Sequence, residues 1–189
     1  MDKYRHMAEP DQEIQWIERS LTGDTDAFGA LVTQYQKMIH ALAFRMTGSL
    51  EDAEDLAQET FLRAFQQLAT FRREAKFSTW LCQIAMNTSL NWRKRESRRS
   101  EIHSRWAADA ISESGPGHES GFPDEQSRRV QAALDRLPPK QRAAVVLTIY
   151  EERTHGEAAK ILRCSETTVS WRVFMARKKL KSWLEQKTS

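Results

Sequence analysis

LPPKQRAAVVLTIYEERTHGEAAKILRCSETTVSWRVFMARKKLKSWL, residues Leu137 to Leu184, is the stretch whose reading decides the fold. A Pro-Pro pair opens a helix. The spacing then predicts a short helix at about His155 to Leu162, a tight turn over Arg163 to Ser165 and a longer helix from Glu166, which together make a helix-turn-helix. The second helix carries Arg172, Arg177, Lys178, Lys179 and Lys181, with no acid after Glu166 until Glu185. A helix so charged, held at an angle by a partner helix, fits the major groove and implies duplex DNA as a partner.

The rest of the chain must account for what that module is attached to. With 189 residues there is room for one or two domains with real cores. The net charge of +3 conceals an asymmetry. Between Glu51 and Glu59 stand five acids and no base, and between Arg93 and Arg105 six bases against two acids. Segregated charge points to separate acidic and basic surfaces, although either run alone also fits a solvated helix face. Cys82 and Cys164 have no CxxC spacing, so neither a disulfide framework nor a zinc site is expected. The five histidines are scattered, and no nucleophile elbow or phosphate loop is present. We expect no enzyme activity, no metal and no cofactor. No apolar run approaches the roughly 18 residues of a membrane span and there is no signal-peptide core, so the expectation is a cytoplasmic chain with no membrane insertion.

Apolar spacing is helical almost throughout, which predicts an all-α fold. Ile14, Ile17 and Leu21 form a short stripe ended by Gly23. Asp24 or Asp26 caps a helix carrying Phe28, Leu31, Val32, Tyr35, Ile39, Leu42 and Met46, which Gly48 stops. Ser49 starts the acidic helix, which buries Ala53, Leu56, Ala57, Thr60, Phe61, Ala64, Phe65 and Leu68. Ser78 is expected to cap a long helix with Trp80, Leu81, Ile84, Ala85 and Thr88 on its core face. From about Ser97 to Pro123 the pattern fails, and Ser112 to Glu125 (SESGPGHESGFPDE) holds three of the seven glycines and two of the five prolines. The reading is a helical domain at 10–96, a flexible linker at 97–123 and a second helical domain at 124–185.

Three further surfaces carry chemistry. On the long helix Gln83, Asn87, Asn91, Lys94 and Arg98 make one polar stripe that runs from amides into bases; amides suit base edges and bases suit phosphates, although amides alone also fit a solvent-facing stripe. The loop before it interleaves Phe71, Arg72, Arg73, Lys76 and Phe77, a composition suited to unstacked single strands, with core packing the simpler reading for Phe77 and Trp80. On the acidic helix Asp55, Gln58, Glu59 and Leu62 share one side, where carboxylates would meet a basic protein rather than phosphate.

Taken with their order and gaps, GDTDAFGALVTQYQ, DAEDLAQETFLRAF, FSTWLCQIAMNTSLNWRKR and the LPPKQR helix-turn-helix make the chain resemble the extracytoplasmic-function group of bacterial sigma factors. The resemblance covers most of the chain. It implies two helical domains, sigma-two and sigma-four, on a flexible linker. It implies docking of Asp55, Gln58, Glu59 and Phe61 on the clamp-helix coiled coil of core RNA polymerase. It implies contact of Asn87 with the opened minus-ten promoter element, with the Thr70–Lys76 loop cradling a flipped base; Phe71, Arg72, Lys76, Gln83, Asn91, Lys94 and Arg98 complete that surface. The helix from Glu166 matches the reader of the minus-thirty-five element, with Thr167, Thr168, Ser170, Trp171, Arg172, Phe174, Arg177 and Lys178 as candidates. An anti-sigma factor is an implied partner, and would be the means of holding the chain at a membrane.

The chain also departs from the family pattern. Arg163 stands where the turn often has Gly. Bases common near Ser170 and Met175 are missing. Trp171 replaces a residue that is usually small, and it fits a thymine methyl, the sugar-phosphate wall or inward packing equally well. The competing reading from the residues is a free-standing helix-turn-helix activator, which has no need of the Asp55 surface. A third is an interaction protein with structural basic patches.

Overall fold

The computed structural model describes residues 10–106 and 125–185, and among them every regular element is helical. The first lobe comprises α1 (Pro10–Leu21), α2 (Thr25–Thr47), α3 (Leu50–Gln67) and α4 (Phe77–Trp106); the second comprises α5 (Glu125–Asp135), α6 (Pro139–Val145), α7 (His155–Leu162) and α8 (Glu166–Glu185).

Local chemistry sets most boundaries. The Asp24 side chain accepts from the Ala27 N–H at 3.0 Å and so caps α2. At the other end Gly48 takes φ +84°, and its N–H reaches the Phe44 carbonyl at 2.8 Å. Ser49 caps α3 through the Asp52 N–H at 3.2 Å. Pro138 and Pro139 open α6, which widens after Val145 into a π turn, Val146–Tyr150. Thr154 and Glu157 form a reciprocal capping box at the start of α7.

Two boundaries differ from the sequence reading. Ser78 does not cap α4; the helix begins one residue earlier, its first turn bonding to the Lys76 carbonyl. Ser78 is buried, and its hydroxyl accepts from Arg153 Nη2 at 3.2 Å. Nor does the helix stop at Ser97: it runs to Trp106, because Arg, Glu and Ser continue helix-compatible sequence, with an Arg99–Glu96 pair at 3.9 Å. The rest of the expected linker, 107–123, lies outside the described residues. The apolar stripe of α1 is also narrower than read: Ile17 is buried, whereas Ile14 and Leu21 are exposed.

The turn of the helix-turn-helix places Arg163 in the left-handed region, φ 48° and ψ 52°. A Cβ there costs about 1–2 kcal/mol, partly offset in a glycine by its larger unfolded-state entropy. We expect Arg163→Gly to stabilise the chain by about 0.5–1 kcal/mol, a rise of about 1–4 °C in Tm by thermal unfolding. Acid should act on the caps. The Thr154 N–H, then its hydroxyl, holds Glu157 below its ordinary 4.5, and the Ala27 N–H, then Arg19, holds Asp24 below 3.8. Stability from either carboxylate is complete above its ordinary value and is lost as pH falls through the lowered one. Urea midpoints should therefore hold down to about pH 5 and drop as pH falls below it toward 3, less steeply in Glu157→Gln, which keeps an acceptor but does not titrate.

The lobes are not independent. One apolar cluster joins Phe28, Leu31, Leu42, Phe77 and Leu81 of the first to Ala144, Leu147, Ile161 and Val169 of the second. At its edge Arg142, fully buried, donates from Nε to the Leu134 carbonyl at 2.7 Å and from Nη1 to the Met46 carbonyl at 2.6 Å. It also pairs with Asp135. Arg93 donates to the same Met46 carbonyl at 2.9 Å, so two guanidinium groups meet the carbonyl end of α2, where its dipole favours cations. Burial, then the like charge of Arg93, pushes Arg142 below the ordinary guanidinium range.

Candidate nucleic-acid and polymerase interfaces

The first surface is the outward side of α3. Burying Ala53, Leu56, Ala57, Thr60 and Ala64 fixes which positions face out. Asp55, Gln58 and Leu62 form an exposed ridge, and Phe65 extends it, half in contact with Phe28 at 5.0 Å between centroids. Glu59 lies lower and is engaged: Arg63 Nη2 is 2.6 Å from it and Arg95 3.9 Å. Phe61 turns inward and packs on the core. Of the four predicted docking residues, Asp55 and Gln58 are therefore freely presented, and Leu62 and Phe65 are exposed neighbours absent from that set.

The second surface is the loop before α4 and the first turns of that helix. Phe71, half-buried, lies with Phe77 and Trp80 in an aromatic cluster at 5.4 Å separations, so Phe71 is a wall of this site rather than a free stacking platform. Arg73 takes φ 59° and pairs with Glu18 at 3.0 Å, which ties the loop to α1. Arg72 and Lys76 are exposed. Asn87, Asn91, Lys94 and Arg98 follow as one exposed line, whereas Gln83 is half-buried and donates to the Lys160 carbonyl of the second lobe at 3.3 Å. The loop borders an open-mouthed cavity of about 190 Å³ lined by Thr70–Ala75, Thr79, Trp80 and Gln83, to which Lys160 and Ile161 of the second lobe add a wall.

The third surface is α8. Val169, Val173 and Ala176 are buried, which turns Thr167, Ser170, Trp171, Phe174, Arg177 and Lys178 outward. The Thr167 and Thr168 hydroxyls lie 2.9 and 2.7 Å from Ser165 Oγ. Ser170 Oγ donates to the Glu166 carbonyl at 3.0 Å and lies 2.8 Å from His155 Nδ1. Arg172 is half-buried, with Nη1 at 3.4 Å from Cys164 Sγ. Cys82 is buried, its thiol pushed up to about 11 by burial, which leaves it unreactive. Among the described residues no group of three or more His, Cys, Asp or Glu side chains could hold a metal ion, and no helix is long and apolar enough to cross a membrane.

These surfaces coincide with known sequence families. Residues 31–99 match Sigma-70 region 2, and residues 127–180 match Sigma-70 region 4. The chain is 31% identical over 187 residues to the RNA polymerase sigma-H factor of Pseudomonas aeruginosa, covering 95% of this chain and 97% of that one. It is 31% identical over 180 residues to the ECF RNA polymerase sigma factor SigW of Bacillus subtilis, covering 89% and 94%. The chain belongs to the extracytoplasmic-function sigma factors. It is an alternative sigma factor, one of a family of initiation factors that act without enzymatic chemistry. The fold of this sigma factor is similar to that of CnrH, solved with the cytosolic domain of CnrY, at a TM-score of 0.68 and 25% identity over 94% of this chain and 99% of that one. It is also similar in fold to the sigma factor RpoE of Bartonella quintana, with a TM-score of 0.67 at 24% identity over 85% and 98%. The all-α, two-part architecture expected from the sequence stands, and region 2 of this sigma factor falls on α2 to α4 and region 4 on α5 to α8.

Proposed function

We propose that this sigma factor divides its task among the three surfaces. The Asp55–Gln58–Leu62 ridge, with Glu59 and Phe61 supporting it from below, docks on a basic coiled coil of core RNA polymerase. Asn87, Asn91, Lys94 and Arg98, with Arg72 and Lys76, take the opened minus-ten strand, and a flipped base enters the Thr70–Ala75 cavity; capturing it offsets a few kcal/mol of unstacking. The outward face of α8 reads the minus-thirty-five element. The units are 10–106, lengthened by the continuation of α4, and 125–185, and joining two readers to one polymerase raises their effective concentration at a correctly spaced promoter. No step is catalytic.

The observation that carries this reading is the separation of an exposed acidic and apolar ridge on α3 from an amide and basic line on α4. A free-standing activator has use for the second only. Because CnrH is held with the cytosolic domain of CnrY, we further propose a cytoplasmic anti-sigma partner for this chain, held at a membrane where that partner has a membrane part. The test is run-off transcription with bacterial core polymerase on host genomic fragments. Core-dependent transcripts that weaken with Asn87→Ala support the reading. Duplex binding by the chain alone, with no transcript, overturns it in favour of the activator.

A further inference from the structure

We propose that Trp171 and Phe174 are the specificity-determining residues of α8, and that the upstream element carries thymines whose 5-methyl groups they cover. This rests on the assignment of α8 to that element. Trp171 is 57% exposed and Phe174 65%, at three-residue spacing in the middle of the outward face. Trp171 does not pack inward, which settles one of the options left open by its sequence. The polar side chains on the N-terminal side of the pair are engaged within the protein, Ser170 with Glu166 and His155, Thr167 and Thr168 with Ser165, Arg172 with Cys164, which leaves Arg177, one turn beyond Phe174, as the exposed guanidinium of the face. Readers of guanine or adenine need free bidentate donors and acceptors, whereas the thymine methyl is the one apolar group on a major-groove edge. Arg177, Lys178 and Lys181, exposed on the next turns, favour nucleic acid over an apolar protein as the occupant.

The test uses the full chain and a random-sequence duplex pool. Enriched duplexes should hold A·T pairs, and remaking them with deoxyuridine should weaken binding about fourfold per methyl group. The loss should vanish in Trp171→Ala and Phe174→Ala, whose binding starts lower. Tight binding indifferent to deoxyuridine overturns the proposal while leaving the assignment of α8 intact. Absence of any duplex enrichment overturns the assignment itself.

A separate set of contacts supports a second inference: the arrangement of the two lobes is an autoinhibited state of the free chain. Lys160 and Ile161 of the second lobe stand as a wall of the cavity that a flipped base would enter and narrow the approach to it, and Gln83 of the minus-ten surface is tied to the Lys160 carbonyl. This contact between the lobes is braced from three more sides: Arg142 on the Met46 carbonyl, Arg153 on Ser78, and the Arg45 guanidinium 4.3 Å above the Tyr150 ring. The outward face of α8 stays open, so the free chain should bind duplex but not single strands. Arg142→Met tests this, and Arg45→Ala with Arg153→Ala tests it without touching a buried charge pair. Small-angle scattering should show expansion of either variant, and capture of a random single-stranded 20-mer pool should improve at least tenfold. Either change without the other overturns the inference, as does neither.

Discussion

Arg142→Met is expected to lower stability by about 3 kcal/mol, a fall of about 6–12 °C in Tm for a chain of this size, measured by thermal or urea unfolding. The arginine is fully buried, and methionine would fill much of its volume but take hydrogen bonds from the Leu134 and Met46 carbonyls and a counter-charge from Asp135. Removing one partner of such a group leaves the others desolvated, and that loss exceeds the modest net value of the intact set. Met46 would keep Arg93, so the damage should concentrate at Leu134 and Asp135. Adding Asp135→Asn should therefore restore part of the loss. Arg142→Lys, which keeps the charge but cannot reach several acceptors in one plane, should fall between. A change under about 1 kcal/mol for Arg142→Met would show that the buried contacts contribute little.

Asp55→Lys with Leu62→Lys should reduce run-off transcription roughly thirtyfold, equivalent to about 2 kcal/mol lost at a docking hot spot. Both side chains are exposed and brace nothing inside the lobe, so thermal stability should move by no more than about 0.5 kcal/mol. Glu59→Lys makes the informative contrast. It would set a cation against Arg63 and Arg95, so activity and stability should fall together. Equal activity of the Asp55/Leu62 variant and the parent would remove α3 from the docking surface.

What the sequence disclosed divides along the range of the forces involved. The Asp24 and Ser49 caps, the Gly48 stop and the Arg163 turn depend on neighbours within a few residues, and all were readable. So was the buried stripe of α2, since its period is set by the helix itself. Side-chain direction near a face boundary was legible only in part. The helical period sends Phe61 in and Leu62 out, as found, whereas Phe65, expected to be buried by the same period, is exposed because α3 meets Phe28 there only at the edge of the lobe. Ser78 read as a cap because nothing local reveals that Arg153, far along the chain, claims its hydroxyl. The extent of α4 was underestimated because a highly charged run looks like linker, although its residues are good helix formers; the first glycine after Asn87 is Gly115. Arg142, from a motif read only for its helix start, has no sequence mark of a buried bridge between lobes.

The wall that Lys160 and Ile161 add to the cavity, if the lobes part to admit a base, also bears on how promoter choice and promoter output are separated. A site available only in an open minority binds with its intrinsic affinity scaled by that minority fraction. Such a factor is the same for every promoter. Substitutions at the contact between the lobes would then act as a gain setting that raises or lowers a whole regulon in proportion, whereas substitutions at Trp171 would reorder promoters within it. Two kinds of evolutionary adjustment are thereby assigned to different residues of one small chain.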